Sequence, residues 1–374
     1  MMTHPILVLM AGGRGERFWP RSKRSFPKQL LSFDGEKTLL QESVARIREL
    51  TVADRIYVVT NYEQAGFVQK QLPFLPPKNI IIEPQGRNTA PCIGLAAVYI
   101  QKYYPGEDPV IAFLPSDCRV QDEQKMRNTL LAGFAVCVEQ KAGVIFGMQP
   151  NRPETGFGYI QLGKRIGLLS TECTAECMHG GQEISYYEVE AFQEKPDQES
   201  AERFVAAGNF LWNGGIFVWQ LSYLMAEIEK SLPNLHKGLQ SFAPFIGKSD
   251  EDIQLKLIYP TFPAVSVDYG ILEKTSNLIV IPSDYGWEDL GSWTALERVL
   301  PADESGNVCQ GEFFGLNTHN CIIHSPHKPV TTMGVSDLII VETDEVLMVC
   351  AKNEAQNIKK LLQELQQKGR FDLL

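Results

Sequence analysis

Five short runs in the first 150 residues are apolar on both alternating sets of positions, and this most constrains what the chain can fold into. The runs are Ile6–Met10, Ile56–Thr60, Ile80–Glu83, Val110–Leu114 and Gly143–Met148. Each is too short for a buried helix, so each reads as a strand. A strand with two apolar faces must be covered on both, and helices laid across a parallel sheet do this. The intervening segments supply such helices. Thr38 followed by Gln41 reads as a capping box, and Leu39, Leu40, Val44, Ile47 and Leu50 then recur at about helical spacing. Ala90–Tyr104 and Glu123–Gln140 read as two more. The alternation predicts an α/β fold with a mostly parallel sheet, whose ligands bind beyond the carboxyl ends of the strands.

Further along, a strand-like Tyr187–Gln193, a helix over Gln198–Ala207, a strand over Leu211–Trp219 and a helix over Leu221–Ser231 read as the second half of the same domain. After Leu300 the texture changes. Pro301–Asn307 is polar and turn-rich, and Cys321–His324, Leu338–Glu342 and Val346–Cys350 are short β-segments. The expected division is a domain over 1–300 and a small β-domain over 301–374. A last amphipathic helix is expected from Glu354 to Gln367, with Ile358, Leu361, Leu362 and Leu365 on one side. No stretch approaches the roughly 20 apolar residues that span a bilayer. Ile6–Met10 is too short for a signal-peptide core, so a cytoplasmic protein with no membrane partner is expected.

The formal charge of −10 argues against a nucleic-acid binder, which needs a basic surface to displace counterions. An anionic ligand must therefore meet a local cluster of positive charge. Such a cluster follows the first strand. Ala11-Gly12-Gly13-Arg14-Gly15-Glu16-Arg17 lets backbone amides approach a phosphate, and Arg14–Lys28 holds six basic residues and one acidic one. The Gly-Lys-Ser/Thr ending of a Walker A loop is missing. Phe18 stands where a dinucleotide fingerprint needs its third glycine, which disfavours a hydride-transferring enzyme. The prolines around Lys28 favour a positioned side chain over a mobile loop.

Two acids complete the signal. Phe113-Leu114-Pro115-Ser116-Asp117 is an apolar strand that ends in an acid at the ligand edge of the sheet, where Asp117 could hold magnesium or simply cap a helix. Asp289, in Gly286-Trp287-Glu288-Asp289-Leu290-Gly291-Ser292-Trp293, could complete that metal site or cap the helix that follows. Glu83-Pro84-Gln85-Gly86-Arg87-Asn88-Thr89-Ala90-Pro91 joins a strand to a helix N-terminus, a place for base and phosphate contacts. Thr155–Tyr159, Glu194-Lys195-Pro196, Trp212–Gly215 and Ser266–Tyr269 set polar groups beside small or aromatic residues, which suits a sugar or an ordinary turn. The eight cysteines sit mostly in apolar settings and read as buried thiols. Cys173, Cys177 and His179 form a weak zinc pattern without a second pair.

Taken in order, these segments resemble the sugar-1-phosphate nucleotidyltransferases, most closely the mannose-1-phosphate guanylyltransferase branch, over nearly the whole chain. The resemblance rests on the glycine loop, Pro27-Lys28-Gln29, Arg87–Pro91, Glu194-Lys195-Pro196, Trp212-Asn213 and Gly286–Trp293. It implies a Rossmann-like domain with a mixed, mostly parallel sheet and a C-terminal left-handed β-helix-like domain that often mediates a homodimer. It also implies attack of mannose 1-phosphate on the α-phosphorus of GTP, with Mg2+ as cofactor. Arg17, Lys28, Asp117 and Asp289 would be catalytic, with the two aspartates on the metal. Ala11, Gly12, Gly13, Gly15, Arg17, Gly86, Asn88, Thr89 and Ser116 would hold the nucleotide. Gly156, Glu194, Lys195, Asn213 and Asp268 would face the sugar phosphate. The barrel of longer bifunctional relatives is missing, so only the transferase step is expected. Arg21, Cys118, Gly214 and Glu288 depart from the usual pattern without removing a catalytic charge. A sister enzyme using another sugar or nucleotide, or a non-catalytic nucleotide-sugar sensor, are the alternatives.

Overall fold

The computed structural model describes residues 4–13, 15–35, 37–171 and 182–374. Its first half alternates strands and helices: β1 (Ile6–Met10), α1 (Leu39–Ile47), β2 (Ile56–Asn61), α2 (Tyr62–Gln71), β3 (Ile80–Glu83), α3 (Thr89–Tyr103), β4 (Val110–Pro115), β5 (Cys118–Val120), α4 (Glu123–Gln140) and β6 (Gly143–Met148). There follow β7 (Gly158–Thr171), β8 (Gln182–Glu194), α5 (Gln198–Ala207), β9 (Phe210–Gln220), α6 (Leu221–Ser231), α7 (Pro233–Phe242), α8 (Glu251–Ile258), β10 (Leu278–Ser283) and β11 (Trp287–Asp289).

Nine strands form one sheet in the order β3-β2-β1-β4-β9-β6-β10-β8-β7. β1, β2, β3 and β4 run parallel, as do β6 and β10, while β9 and β8 run against their neighbours. The mixed, mostly parallel sheet is the expected one. Residues 6–9 of β1 are wholly buried, and their alternation splits them between two cores. Ile6 and Val8 join one cluster with α3, α6 and α7, and Leu7 and Leu9 join another with α1, α2 and α4. Burying each such side chain contributes roughly 1.5–3 kcal/mol.

The Thr38–Gln41 capping box that opens α1 is present, with both reciprocal bonds made. α2 escaped sequence reading because it offers the core only Gln64 and Val68, too little for an apolar stripe. The last helix is shorter than expected: a 3₁₀ segment covers Lys352–Asn357 and the α-helix proper, α9, spans Ile358–Gln367. Ile358 is buried and Leu362 and Leu365 pack inward, but Leu361 lies outside that stripe, 40 % exposed. No described helix is long and apolar enough to cross a membrane.

Before α9, the chain makes β12 (Val308–Leu316), β13 (Ile322–Met333), β14 (Leu338–Glu342) and β15 (Leu347–Ala351). β12, β13 and β14 stack in parallel, with Val308 over Ile322 and Ile322 over Ile339, as successive turns of a β-helix-like coil. β15 closes it antiparallel to β14. β12 was not read from the sequence. Its residues from Gly311 onward are mostly exposed, and two glycines and Glu312 interrupt its apolar residues. The coil's inner residues Ile322, Ile339 and Val341, with Ile358 of α9, share one apolar cluster with Phe18, Trp19 and Trp293. The small unit is thus built against the loop that follows β1.

Candidate active site

The glycine loop leaves β1 at the carboxyl edge of the sheet and is held from beneath. The Ala11 N–H donates to the Val59 carbonyl at 2.8 Å. Buried Gln29 donates to the carbonyls of Ala11 (2.9 Å) and Gly13 (3.0 Å) and to Gln64 Oε1 (3.1 Å). With its carbonyls occupied below, the loop can turn amides toward the cleft above. Gly12 has no room for a side chain, because a Cβ would lie 2.9 Å from Glu83 Oε2. Gly15 has φ 60°, and a Cβ there would come within 2.3 Å of Lys28 Cβ. A Cβ on Gly13 or Gly86 would meet only open space, and Arg14 lies outside the described residues.

Asp117 and Asp289 are brought together by a small antiparallel ribbon. β4 ends at Pro115, β5 begins at Cys118, and β5 pairs with β11 so that Cys118 faces Asp289. Neither acid caps a helix: Asp122 caps α4, and Ser292 precedes the 3₁₀ turn after β11. Between them stands the ammonium of Lys28, 2.9 Å from Asp117 Oδ2 and 3.4 Å from Asp289 Oδ1. Burial pulls the Lys28 pKa down, but the charges of Asp117 and Asp289 outweigh it and hold the ammonium above its ordinary value. Desolvation raises Asp289, against Lys28 and with Asp117. Ser116 is buried and donates to the Met10 carbonyl at 2.8 Å, tying β4 to the glycine loop. Arg17 reaches the Gly291 carbonyl at 3.4 Å, and its buried Nε has no partner among the described residues.

Two clefts meet at Asp117. One, of about 390 Å³, is lined by Gly12, Gly13, Glu83, Gly86, Asn88 and Thr89. The other, of about 380 Å³, holds Gly15, Arg17, Lys28, Asp289 and Lys359 of α9. In the first, Asn88 takes φ 70° and accepts from the Thr89 N–H, capping α3. Thr89 Oγ1 accepts from the Val267 N–H at 2.8 Å, so Thr89 also anchors the next chain segment. Glu83 was not singled out from the sequence. Burial pushes its carboxyl up to about 7, although Tyr259 donates to it and favours the charged form. The signal was present, since Glu83 ends an apolar strand as Asp117 nearly does.

Beyond Thr89 a polar group gathers Asn213 and Asp268, with the Asn213 amide donating to Asp268 Oδ1 at 2.8 Å. Burial and the charge of Glu194 push Asp268 up to about 6. Lys195 binds Glu194 at 2.7 Å, and a Cβ on Gly158 would come within 2.5 Å of Glu194 Oε2 and 3.3 Å of Asn213 Cβ. Glu194, Lys195, Asn213 and Asp268 are therefore one cluster. Trp212–Gly215 is no turn but the middle of β9, where pairing with β6 slips. Gly156 stands apart in an exposed loop, its N–H donating to Glu154 Oε1 at 3.1 Å. The same loop carries Arg152, missed in the sequence, which lies 4.8 Å over Trp212 and 3.4 Å from Glu288.

Among the described residues no three His, Cys, Asp or Glu side chains are grouped to hold a metal. Two carboxylates at the mouth of a phosphate cleft nonetheless fit magnesium, which takes one or two protein carboxylates and completes its shell with phosphate and water. Lys28 bonds Asp117 Oδ2 and Asp289 Oδ1, so the second oxygen of each acid would be the one to take such an ion. The Cys173, Cys177 and His179 pattern lies outside the described residues. The six described cysteines are free thiols.

Residues 6–306, which hold the glycine loop, Lys28 and both acids, match the nucleotidyl transferase family model. The chain belongs to that family. A second model, the MannoseP isomerase/GMP-like β-helix domain, matches residues 311–365. Among nucleotidyl transferase relatives, the mannose-1-phosphate guanylyltransferase of Escherichia coli K12 is 34 % identical over 98 % of this chain and 74 % of its own length. That of Klebsiella pneumoniae is 36 % identical over the same shares. In structure, a Thermus thermophilus protein described as a mannose-1-phosphate geranyltransferase superposes with a TM-score of 0.83 at 30 % identity, covering 97 % of this chain and all of that one.

Proposed function

We propose that this nucleotidyl transferase moves GMP from GTP to mannose 1-phosphate, giving GDP-mannose and pyrophosphate. The observation that carries the reading is the Lys28 ammonium between Asp117 and Asp289, where the two clefts meet. The incoming phosphate is already ionised, so its oxygen attacks the α-phosphorus without a general base, and pyrophosphate departs in line. What remains for the protein is positioning and neutralisation of charge. Lys28, kept protonated by its two acids, offers N–H groups to the α-phosphate as its charge shifts. Arg17 and the amides of Gly12, Gly13 and Gly15 hold the β- and γ-phosphates, the Ala11 N–H being taken by the Val59 carbonyl. Asp117 and Asp289 would hold magnesium, which when bound neutralises charge across the phosphates.

Guanine is favoured by Glu83. An ionised carboxylate is an acceptor pair, and guanine alone among the common bases presents a ring N–H beside an exocyclic amine. Adenine would set a ring acceptor against it. At the other end, Asn213, Glu194 and Asp268 accept from sugar hydroxyls, and Lys195 meets the sugar phosphate. The names of the Escherichia coli and Klebsiella relatives support mannose 1-phosphate as acceptor. The reading places the reaction in the cytoplasm and the enzyme in a homodimer formed through the β-coil, whose outer face exposes Leu316, Met333, Leu347 and Val349.

Pyrophosphate release, measured with magnesium for GTP, ATP, UTP and dTTP against mannose 1-phosphate and glucose 1-phosphate, tests the reading. Release confined to GTP with mannose 1-phosphate is expected. Another active pair would move the enzyme to a sister branch, and silence throughout would leave a sensor.

A further inference from the structure

The cleft that holds Arg17, Lys28 and Asp289 is not closed by the large domain alone. Lys359, on the first turn of α9, lines it as well. Its side chain is exposed and, among the described residues, in no ion pair. Among the described residues the other cations lining this cleft are Lys28, paired with two carboxylates, and Arg17, which reaches the Gly291 carbonyl through one nitrogen and keeps its charge for the phosphates. A leaving pyrophosphate carries several negative charges, and one arginine with a bound magnesium ion would still leave part of them for a further cation.

The placement of Lys359 is fixed, not incidental. Ile358, just before it, is buried, and Leu362 and Leu365 pack into the cluster that contains Phe18 and Trp19. Trp19 Nε1 donates to the Leu373 carbonyl at 2.8 Å, pinning the turn after α9 to the same loop. Lys23 meets Glu345 at 2.8 Å, and Lys352 meets Glu297, on either side of the seam. α9 thus rests on the short turn Glu16–Phe18, with Lys359 at its cleft end.

We propose that Lys359 binds the β- and γ-phosphates of the nucleotide and the pyrophosphate formed from them, so that the C-terminal unit completes the active site. The proposal rests on the nucleotidyl-transfer reading given above. It predicts a cation supplied from a separate part of the chain, acting on the leaving group and not on the sugar.

The test uses the full chain and its Lys359→Ala and Lys359→Arg variants. Inorganic pyrophosphate binding is measured by calorimetry, and the KM values for GTP and for mannose 1-phosphate are measured by pyrophosphate release. Loss of one hydrogen-bonded charge pair corresponds to roughly a tenfold effect. The alanine variant is expected to bind pyrophosphate about tenfold more weakly and to show a KM for GTP raised by a similar factor. Its KM for mannose 1-phosphate and its melting temperature should stay at the parent values, and arginine should restore most of the loss. Equal pyrophosphate binding by parent and alanine variant would overturn the proposal, as would a parallel rise in both KM values. A parent that binds pyrophosphate but transfers nothing would sink the functional reading alone, with Lys359 still judged by the binding series.

Discussion

Lys28 shows what a single side chain can be asked to do in this molecule. It is buried, yet charged, because two carboxylates stand within 3.4 Å of its nitrogen. Asp117→Asn removes one of them while keeping the shape. Removing one oriented electrostatic group costs about 10²–10³ in kcat. We expect that loss at saturating magnesium, read by pyrophosphate release; near-normal turnover would dismiss Asp117 as a metal and charge-positioning residue. Glu83 makes a second, separable prediction. Burial raises its carboxyl from 4.5 to about 7, so between those pH values the folded chain holds a proton that the unfolded chain has released. Its contribution to stability is present below pH 4.5 and is lost as pH rises through 7. Glu83→Gln should therefore gain stability relative to the parent at pH 8 but not at pH 4.5, as read by denaturant titration. The same variant should lose about tenfold or more in kcat/KM with GTP, and less with inosine triphosphate, which lacks the exocyclic amine. An unchanged preference for GTP over inosine triphosphate would remove Glu83 from base recognition. Asp117 was legible in the sequence because it stands just past an apolar strand. Glu83 satisfied the same rule but sat in a segment rich in other signals, Arg87 and Asn88 among them. Gln29 could not be read as the support of the loop, since its partners Ala11, Gly13 and Gln64 are joined to it only by folding.

At the scale of elements, the pairing of β5 with β11 decides whether the two aspartates meet. Each strand is three residues long, and their register sets Cys118 against Asp289. Sequence reading left both acids open between metal binding and helix capping; the caps fall to other residues, and this long-range ribbon sets the two acids together beside Lys28. The parallel strands of the first half were easier, because an apolar run such as Val110–Leu114 carries its own burial in its composition, whereas β7 and β10 of the same sheet were not read. β12 and α2 were not, since the first has mostly solvent-facing residues from Gly311 onward and the second has just Gln64 and Val68 inside. The turn at Gly15 belongs to the same scale. With φ 60° and Lys28 Cβ at 2.3 Å from any added Cβ, Gly15→Ala must displace Lys28. A strained left-handed residue costs about 1–3 kcal/mol. We expect the variant to melt a few degrees lower and to lose at least as much activity as Asp117→Asn; full turnover in a folded Gly15→Ala protein would mean that Lys28 tolerates displacement.

For the whole molecule, the β-coil has an inner face given to the catalytic loop and an outer face given to solvent. The outer face carries Met333, 73 % exposed, and Leu347, 65 % exposed. If two copies meet there, Leu347→Glu together with Met333→Glu should convert a dimer to a monomer in light scattering with little change in kcat, because neither residue lines the catalytic clefts. A parent that is already monomeric would remove the coil's outer face as a subunit contact. The inner face has a different consequence, one of timing. Phe18 and Trp19 are made long before the groups that cover them, Ile322, Ile339, Ile358 and the Leu373 carbonyl. Until those groups emerge the nascent chain carries its phosphate loop beside uncovered aromatic surface, a natural foothold for chaperones. The cleft that Lys359 lines takes its final form only once that later segment has left the ribosome and packed.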